Sequence, residues 1–236
     1  MLRYTIATTG TNTNILTTYG VNVSGTTGLI GRPDFKEPSH KYNWEYLNGE
    51  WIDLGHRRYK PRTITMRCWL KGATKQLAIE KLNNFLKAFD TDQLIRLGVG
   101  FVQNNSGAIQ NDTKGLYYLV YLSKVNIKEY KWRSGKQILN FDITLVEPSP
   151  IKRIYKVTAT DSGTVTATYT STSEFDIHWG DGDVDVNLIG TSQIKTHGYT
   201  GGNFILIVTG VIGDISTLTM TASTAEITIE QLYEEI

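Results

Sequence analysis

The sequence predicts a mainly-β protein in two parts, with one amphipathic helix in the first part, and three observations carry that prediction. Apolar and polar residues alternate with a period of two over much of the chain, most strictly in RTITMRCWL (residues 62–70), the repeat of a strand that buries one face. One stretch, ATKQLAIEKLNNFLKAF (residues 73–89), changes to a helical repeat. Pro148-Ser149-Pro150, a stop to strand pairing, coincides with a reversal of charge. Residues 1–150 hold 20 Lys and Arg against 12 Asp and Glu, whereas residues 151–236 hold 4 against 11. Such a split, hidden in a net charge of +1, marks two modules with separate surfaces. At 40% hydrophobic and 20% charged with only 5 Pro, the composition excludes a disordered chain. Its 236 residues suffice to bury one large core or two ordinary ones.

Taken in order, LRYTIAT and ILTTYGVNVSG alternate Thr and aliphatics between glycines and predict short strands over residues 1–30. Residues 31–55, GRPDFKEPSHKYNWEYLNGEWIDLG, are rich in Gly, Pro, Asn and aromatics, with a turn signal at Asn48-Gly49. They predict a loop or irregular hairpin that packs Trp44, Tyr46 and Trp51. In the next strand Ile64, Met66, Cys68 and Leu70 share one face, and Thr63, Thr65, Arg67 and Trp69 the other. The helix follows, with Ala78, Leu82, Phe85, Leu86 and Phe89 on its apolar side and Thr74 placed to cap it. QLIRLGVGFV predicts a strand and QNNSGAIQNDTKG (residues 103–115) a polar loop. Two longer strands, LYYLVYLSKVNIKEY and KQILNFDITLVEP, meet at a turn over Arg133-Ser134-Gly135, and Leu139, Phe141, Ile143 and Leu145 form the apolar face of the second. Residues 151–224 fall into six or seven short alternating runs between Gly, Asp and Asn turns, the pattern of a small β-sandwich. The acidic TAEITIEQLYEEI closes the chain as a strand or a frayed helix.

Little in the chain resembles catalytic chemistry. The densest charge is HRRYKPR (residues 56–62). Arg57, Arg58, Lys60 and Arg62, with Tyr59 and Trp69 as stacking surfaces, would suit phosphates and bases. No RNP signature, KH loop or zinc finger accompanies them, and alternation turns most of the charge to one solvated or subunit-facing side. Asp181, Asp183 and Asp185 in FDIHWGDGDVDV alternate like the start of a calcium loop. Val186 and Ser192 stand where that loop needs Gly and Glu, and a hairpin turn over Gly180–Asp183 accounts for the same residues. His40, His56, His178 and His197 show no zinc-enzyme spacing. Asp176 and His178 share a strand face without a nucleophile elbow nearby, and neither a GxGxxG nor a phosphate loop occurs. Cys68 is the only cysteine, which rules out an internal disulfide or a Cys-based metal site, and it sits on the apolar face of its strand. No catalytic, cofactor-binding or metal-ligating residue is assigned, and no cofactor is expected. MLRYTIATTGTNTN lacks the apolar core of a signal peptide, and no run approaches the roughly 20 apolar residues of a membrane span. The expectation is a chain made and folded in the cytosol.

Two stretches resemble known families. EWIDLGHRRYKPRTITMRCWLKG, the helix, and GLYYLVYLSKVNIKEYKWRSGKQILNFDITLVEPSP together resemble the amino-terminal domain of phage distal tail proteins over most of residues 15–150. There a basic extended segment leads to a strand of the form R-x-I-T-hydrophobic, matched by Arg62, Ile64 and Thr65, and a later strand ends in a Pro motif, matched by Phe141 to Pro150. FDIHWGDGDVDVNLIG and THGYTGGNFILIVTG are similar to the PKD family of immunoglobulin-like domains. Trp179-Gly180-Asp181-Gly182 matches its WGDG turn, and His197-Gly198-Tyr199 with Gly202-Asn203-Phe204 matches its later motif with Gly and Phe departures.

The resemblances imply a β-sandwich with one packed α-helix and a long hairpin, followed by a small PKD or immunoglobulin-like β-sandwich. They divide the chain into a ring-forming domain (1–150), a PKD-like domain (151–225) and an acidic carboxy-terminal tail (226–236). The implied role is a structural, non-enzymatic tail-tip or baseplate component. It would form a hexameric ring between the tail tube and the receptor-binding apparatus, assemble in the host bacterial cytoplasm and end in the virion tail. Partners would be its own copies and the tube, tape-measure and hub or fibre proteins, without sequence-specific nucleic acid or membrane insertion. Arg57, Arg58, Tyr59, Lys60 and Arg62 become candidate subunit-interface residues. The alternative is a bacterial surface or secreted module that binds carbohydrate, which the absence of a signal peptide disfavours.

Overall fold

The strand with the strictest alternation in the sequence lies at the middle of the amino-terminal half. In a computed structural model of the chain, which describes residues 2–7, 13–29, 33–36, 41–43, 45–46, 48, 50–52, 58–101 and 115–233, it is β6 (Arg62–Gly72). The elements before it are β1 (Leu2–Ala7), β2 (Thr13–Asn14), helix α1 (Ile15–Tyr19), β3 (Val21–Thr27), β4 (Lys41–Asn43) and β5 (Glu50–Ile52). After it come α2 (Lys75–Lys87), β7 (Ile95–Phe101), β8 (Gly115–Arg133) and β9 (Lys136–Glu147). The expected polar loop at 103–115 falls almost entirely outside the described residues, as do Trp44, Gly49, Arg57, His40 and His56.

Seven of these strands form an antiparallel sheet in the order β2-β1-β7-β8-β9-β6-β3. β8 is long enough to change partners: Gly115–Val120 pairs with β7, and Tyr121–Arg133 pairs with β9. The sheet therefore bends into two layers around one core, in which Ile64, Met66, Leu97, Val120, Phe141 and Ile143 are buried. Each large apolar side chain buried this way contributes about 1.5–3 kcal/mol. Helix α2 closes the core with Ala78, Leu82 and Phe85, and the backbone N–H of Leu77 donates to Thr74 Oγ1 at 3.2 Å, the expected cap. Residues 15–19, read as part of a strand, instead form one helical turn. Asn14 Oδ1 accepts from the N–H groups of Leu16 and Thr17, and Ile15 is buried beneath; a good cap and one packed side chain outweigh the strand preference of Ile, Thr and Tyr.

Cys68 is 3% exposed on the core face of β6. Burial, with the Asp142 charge adding to it, pushes its thiol up to about 12. The native protein is therefore expected to resist thiol-alkylating reagents at pH 8 and to take up one equivalent once denatured; rapid labelling of the folded protein would contradict this placement.

The carboxy-terminal half comprises β10 (Arg153–Ala159), β11 (Gly163–His178), β12 (Val184–Tyr199), β13 (Gly202–Gly210), β14 (Ile215–Ala222) and β15 (Ile227–Tyr233). Their order is β12-β11-β13-β10-β15, with β14 also paired to β11. β11 pairs with β14 over Val165–Ser171 and with β13 over Phe175–His178, so it too passes between two layers, around a core of Val157, Phe175, Trp179, Leu206, Val208 and Ile227. The separate runs expected at 164–170 and 175–180 are one bent strand, as are those at 184–189 and 193–199. Register shifts near Ser171 and Gly190 bend the ladder without ending it. The acidic end is not a detached tail: β15 pairs with β10 from Ile154–Tyr233 to Ala159–Ile227, because Ile227 and Ile229 supply an apolar face to the same core.

Candidate functional site

Three places carry most of the polar structure: an arm that leaves the first sheet, the junction between the halves, and the WGDG turn. The arm begins where β3 ends. Gly28 has φ +85°, and a Cβ there would lie 2.0 Å from the carbonyl oxygen of Thr63, so only glycine lets the chain turn away here. The carbonyl of Leu29 accepts from Arg62 Nη1 at 2.9 Å and from the Tyr118 hydroxyl at 2.8 Å. Arg62 Nε stands 3.1 Å from Glu147 Oε2, and Lys152 Nζ donates to Glu147 Oε1 at 2.5 Å. Both cations lie over the Tyr118 ring. Burial pushes the Glu147 carboxyl up and the Lys152 amine down, while the attraction between them opposes both shifts. Departing and returning chain are thus clamped together at the foot.

Beyond the foot, two described stretches of the outgoing chain pair with the returning chain. Lys36 N–H donates to Arg58 O and Lys60 N–H to Asp34 O, both at 2.7 Å, around the stacked rings of Phe35 and Tyr59. Further out, β4 pairs with β5 from Lys41–Ile52 to Asn43–Glu50. The ribbon ends near Tyr46, which is 93% exposed; the expected packing of this ring is not found, because the arm leaves the core behind. Trp44 lies outside the described residues. Of the basic cluster, Arg58 and Lys60 are exposed on the return strand and Tyr59 is half-buried against Phe35. Arg57 lies outside the described residues. Arg62 is turned inward at 13% exposure and anchors the foot through Glu147 and Leu29.

At the junction Arg96 of β7 meets Asp176 of β11. Nε is 2.5 Å from Oδ2 and Nη2 3.0 Å from Oδ1, a bidentate pair, and Nη2 also donates to Asn187 Oδ1 at 2.7 Å. The backbone N–H of Asn187 donates to Asp176 as well. Beside them the His178 imidazole stacks on Tyr117 of β8, with centroids 4.0 Å apart and planes 10° from parallel. Its Nε2 faces Thr209 Oγ1 at 3.4 Å, and its buried Nδ1 has no partner. Asp176 and His178 do share a buried region, as their spacing suggested, but their partners are structural. Arg96 was not singled out by sequence; the available signal was a lone arginine in the apolar strand QLIRLGVG, which requires an internal counter-charge.

In the turn, Trp179 N–H donates to Asp183 O at 3.0 Å, and Gly180 at φ +89° passes so close to Ile205 that a Cβ would fall 2.5 Å from its carbonyl oxygen. His197 stacks on Trp179 and meets Asp181 at 2.6 Å, while the Tyr199 hydroxyl donates to Trp179 O at 2.8 Å. Asp181, Asp183 and His197 bring three ligand atoms within 4.8 Å of one another and are the residues here that could hold a metal. Asp185 is drawn away from them, accepting from Trp179 Nε1 at 3.0 Å, so the three alternating carboxylates do not converge. The Asp183 backbone N–H donates to Asp181 Oδ1 at 3.1 Å, while the Asp183 carboxylate is exposed, 4.0 Å from His197 Nδ1. No helix among the described residues is long and apolar enough to cross a membrane.

Residues 16–144 match the family described as phage tail protein RIFT-related domain. No curated protein matches the chain. Among solved structures the chain is similar to the Dit protein of phage SPP1, described as a paradigm of the hub adsorption apparatus in phages infecting Gram-positive hosts. The identity is 12% and the TM-score 0.43, with 97% of each chain covered. It is also similar to a chain of the phage P2 baseplate in its activated conformation with Ca, at 7% identity and a TM-score of 0.45, covering 89% of this chain and 99% of that one.

Proposed function

The chain belongs to the phage tail protein RIFT-related domain family, and from that premise we propose that it is a distal tail protein, a structural, non-catalytic component that forms a ring at the tail tip. Residues 1–150 form the ring as a homo-oligomer, hexameric as the resemblance implies, placed between the tail tube and the receptor-binding apparatus of the virion. The second half, a PKD-like β-sandwich, projects from the ring as a spacer or contact domain.

The observation that carries this reading is the arm. A solitary two-stranded ribbon is marginal in water, and its foot is held by a buried charge cluster while its end displays an aromatic residue to solvent. Such an element gains its stability by lying on a neighbour. One arm per copy, given to the next copy and received from the previous one, is a heterologous contact, and heterologous contacts close into rings when the rotation permits. Arg58, Tyr59 and Lys60 ride on the arm's return strand and are the seam residues of this proposal, with Arg57 beside them in sequence and Arg62 fixing the angle of departure.

The test is to excise residues 41–52, closing the ribbon with an Asn-Gly turn. The variant is expected to keep its thermal unfolding midpoint and to lose the ring by light scattering and negative-stain microscopy. An oligomer that survives the excision sinks the proposal.

A further inference from the structure

The two halves meet without sharing a core. Buried apolar side chains form one cluster from Tyr4 to Leu145 and a second from Tyr155 to Ile227. The chain passes between them once, from Glu147 at the end of β9 to Arg153 at the start of β10. The Arg96–Asp176 pair and the Tyr117–His178 stack bridge them. Asp176 and His178 lie two residues apart on one face of β11, and β13 sets Thr209 and Ile207 opposite them, both buried. A joint fastened through ionisable groups is one that protons can unfasten.

Little around His178 would stabilise a positive charge. β7 brings the Arg96 cation and the segment before β10 the Lys152 cation. β8 covers one face of the ring with Tyr117, β13 places Thr209 Oγ1 at 3.4 Å from Nε2, and β12 opposes it with Val184. Nδ1 is buried without a hydrogen-bond partner. The carboxylate on its own strand face, Asp176, is held by Arg96 through both oxygens. Parting the halves changes all of this together. Arg96 and Tyr117 leave with the first half, the imidazole meets water, and Asp176 is freed beside it as a counter-ion.

We propose that the junction is an acid-opened hinge: protonation of His178 parts the halves about residues 148–152, and Asp176 passes from Arg96 to the imidazolium while both cores stay folded. The closed form refuses the proton down to about pH 3, whereas the open form takes it up near the ordinary value of 6.5. Closure is therefore strongest above about pH 6.5 and weakens as pH falls toward 3, the open-to-closed ratio rising about tenfold per pH unit. The opening concerns the joint alone and holds whether or not the copies form a ring.

Thiol labelling of the full chain with a dipyridyl disulfide, which reacts at acid pH, tests the hinge. Thr209→Cys places a thiol on the buried junction face, and the native Cys68 reports on the first core. Relative to denatured protein at the same pH, labelling at position 209 is expected to rise about thirtyfold between pH 7.5 and pH 5, while Cys68 stays protected. Adding His178→Phe should abolish that rise. The wild-type chain gives a second readout that needs no substitution. The Asn187 amide donates to Asp176 at 2.9 Å, and its hydrogen exchange, corrected for the intrinsic rate, should accelerate by a similar factor while β6 remains protected. Labelling or exchange that does not rise, an equal rise in His178→Phe, or loss of protection at Cys68 and β6 in step with the junction overturns the proposal.

Discussion

Replacing Asp176 with alanine is expected to cost about 3–5 kcal/mol of stability, the largest loss predicted for any single side chain in this protein. The carboxylate is 2% exposed and binds Arg96 through both oxygens. Its removal leaves a guanidinium, itself nearly as buried, with only the amide oxygen of Asn187 for company. The charge is then left without its counter-ion, or the two halves separate. The denaturant midpoint should fall accordingly, and cleavage by protease near Pro148–Pro150 should accelerate. A second variant separates an unpaired charge from lost packing. Arg96→Met combined with Asp176→Leu removes both charges and keeps the volume, and should recover most of the stability, since apolar replacements of buried pairs are often neutral or better. If Asp176→Ala unfolds at the wild-type midpoint, the pair is not the junction's fastening.

The second large effect is a dependence on pH that originates in His178. Burial holds its imidazole down to about 3, and the nearby charges of Arg96 and Lys152 add to the shift, against an ordinary value of 6.5. Between those values the unfolded chain binds a proton that the folded chain refuses. Stability from this group is therefore complete above about pH 6.5 and declines as pH falls toward 3, by about 1.4 kcal/mol for each pH unit. Measured from pH 6.5 to pH 5, before most carboxylates titrate, the loss should come to about 2 kcal/mol. His178→Phe retains a ring to stack on Tyr117 but cannot take up a proton, so its stability curve should be flatter over the same interval. Parallel curves for the two proteins would remove His178 as the cause. Physically, a protonated ring has nowhere to go: Tyr117 covers one face, Arg96 and Lys152 repel it, and Nδ1 finds no acceptor.

Most of the secondary structure is legible in the sequence because the residues involved answer to local rules. Ile64, Met66, Cys68 and Leu70 alternate and are all buried; Ala78, Leu82 and Phe85 recur at helical spacing and face the core; Thr74 caps the helix. Residues whose fate depends on distant chain were harder to read. Tyr46 looks like a packing residue by type, yet it stands at the end of an arm. Arg62 looks like surface charge by its neighbours, yet Glu147 and the carbonyl of Leu29, far away in sequence, draw it inside. Ile227 and Ile229 look like part of an acidic tail by their neighbours, yet β10, some seventy residues earlier, gives them a sheet to join.

The sequence by itself determined the class of the protein, the position of its one long helix, the break at Pro148–Pro150 and the unlike charge of its halves. Alternation, capping and chain stiffness are properties of neighbouring residues, and they act wherever the chain goes. What only the tertiary structure decided is how the halves are joined and what leaves the core. The Arg96–Asp176 pair, the Tyr117–His178 stack and the Arg62–Glu147–Lys152 cluster each unite residues from different strands. Burial then makes each pairing obligatory, because a charge taken out of water must find its partner wherever the fold supplies one.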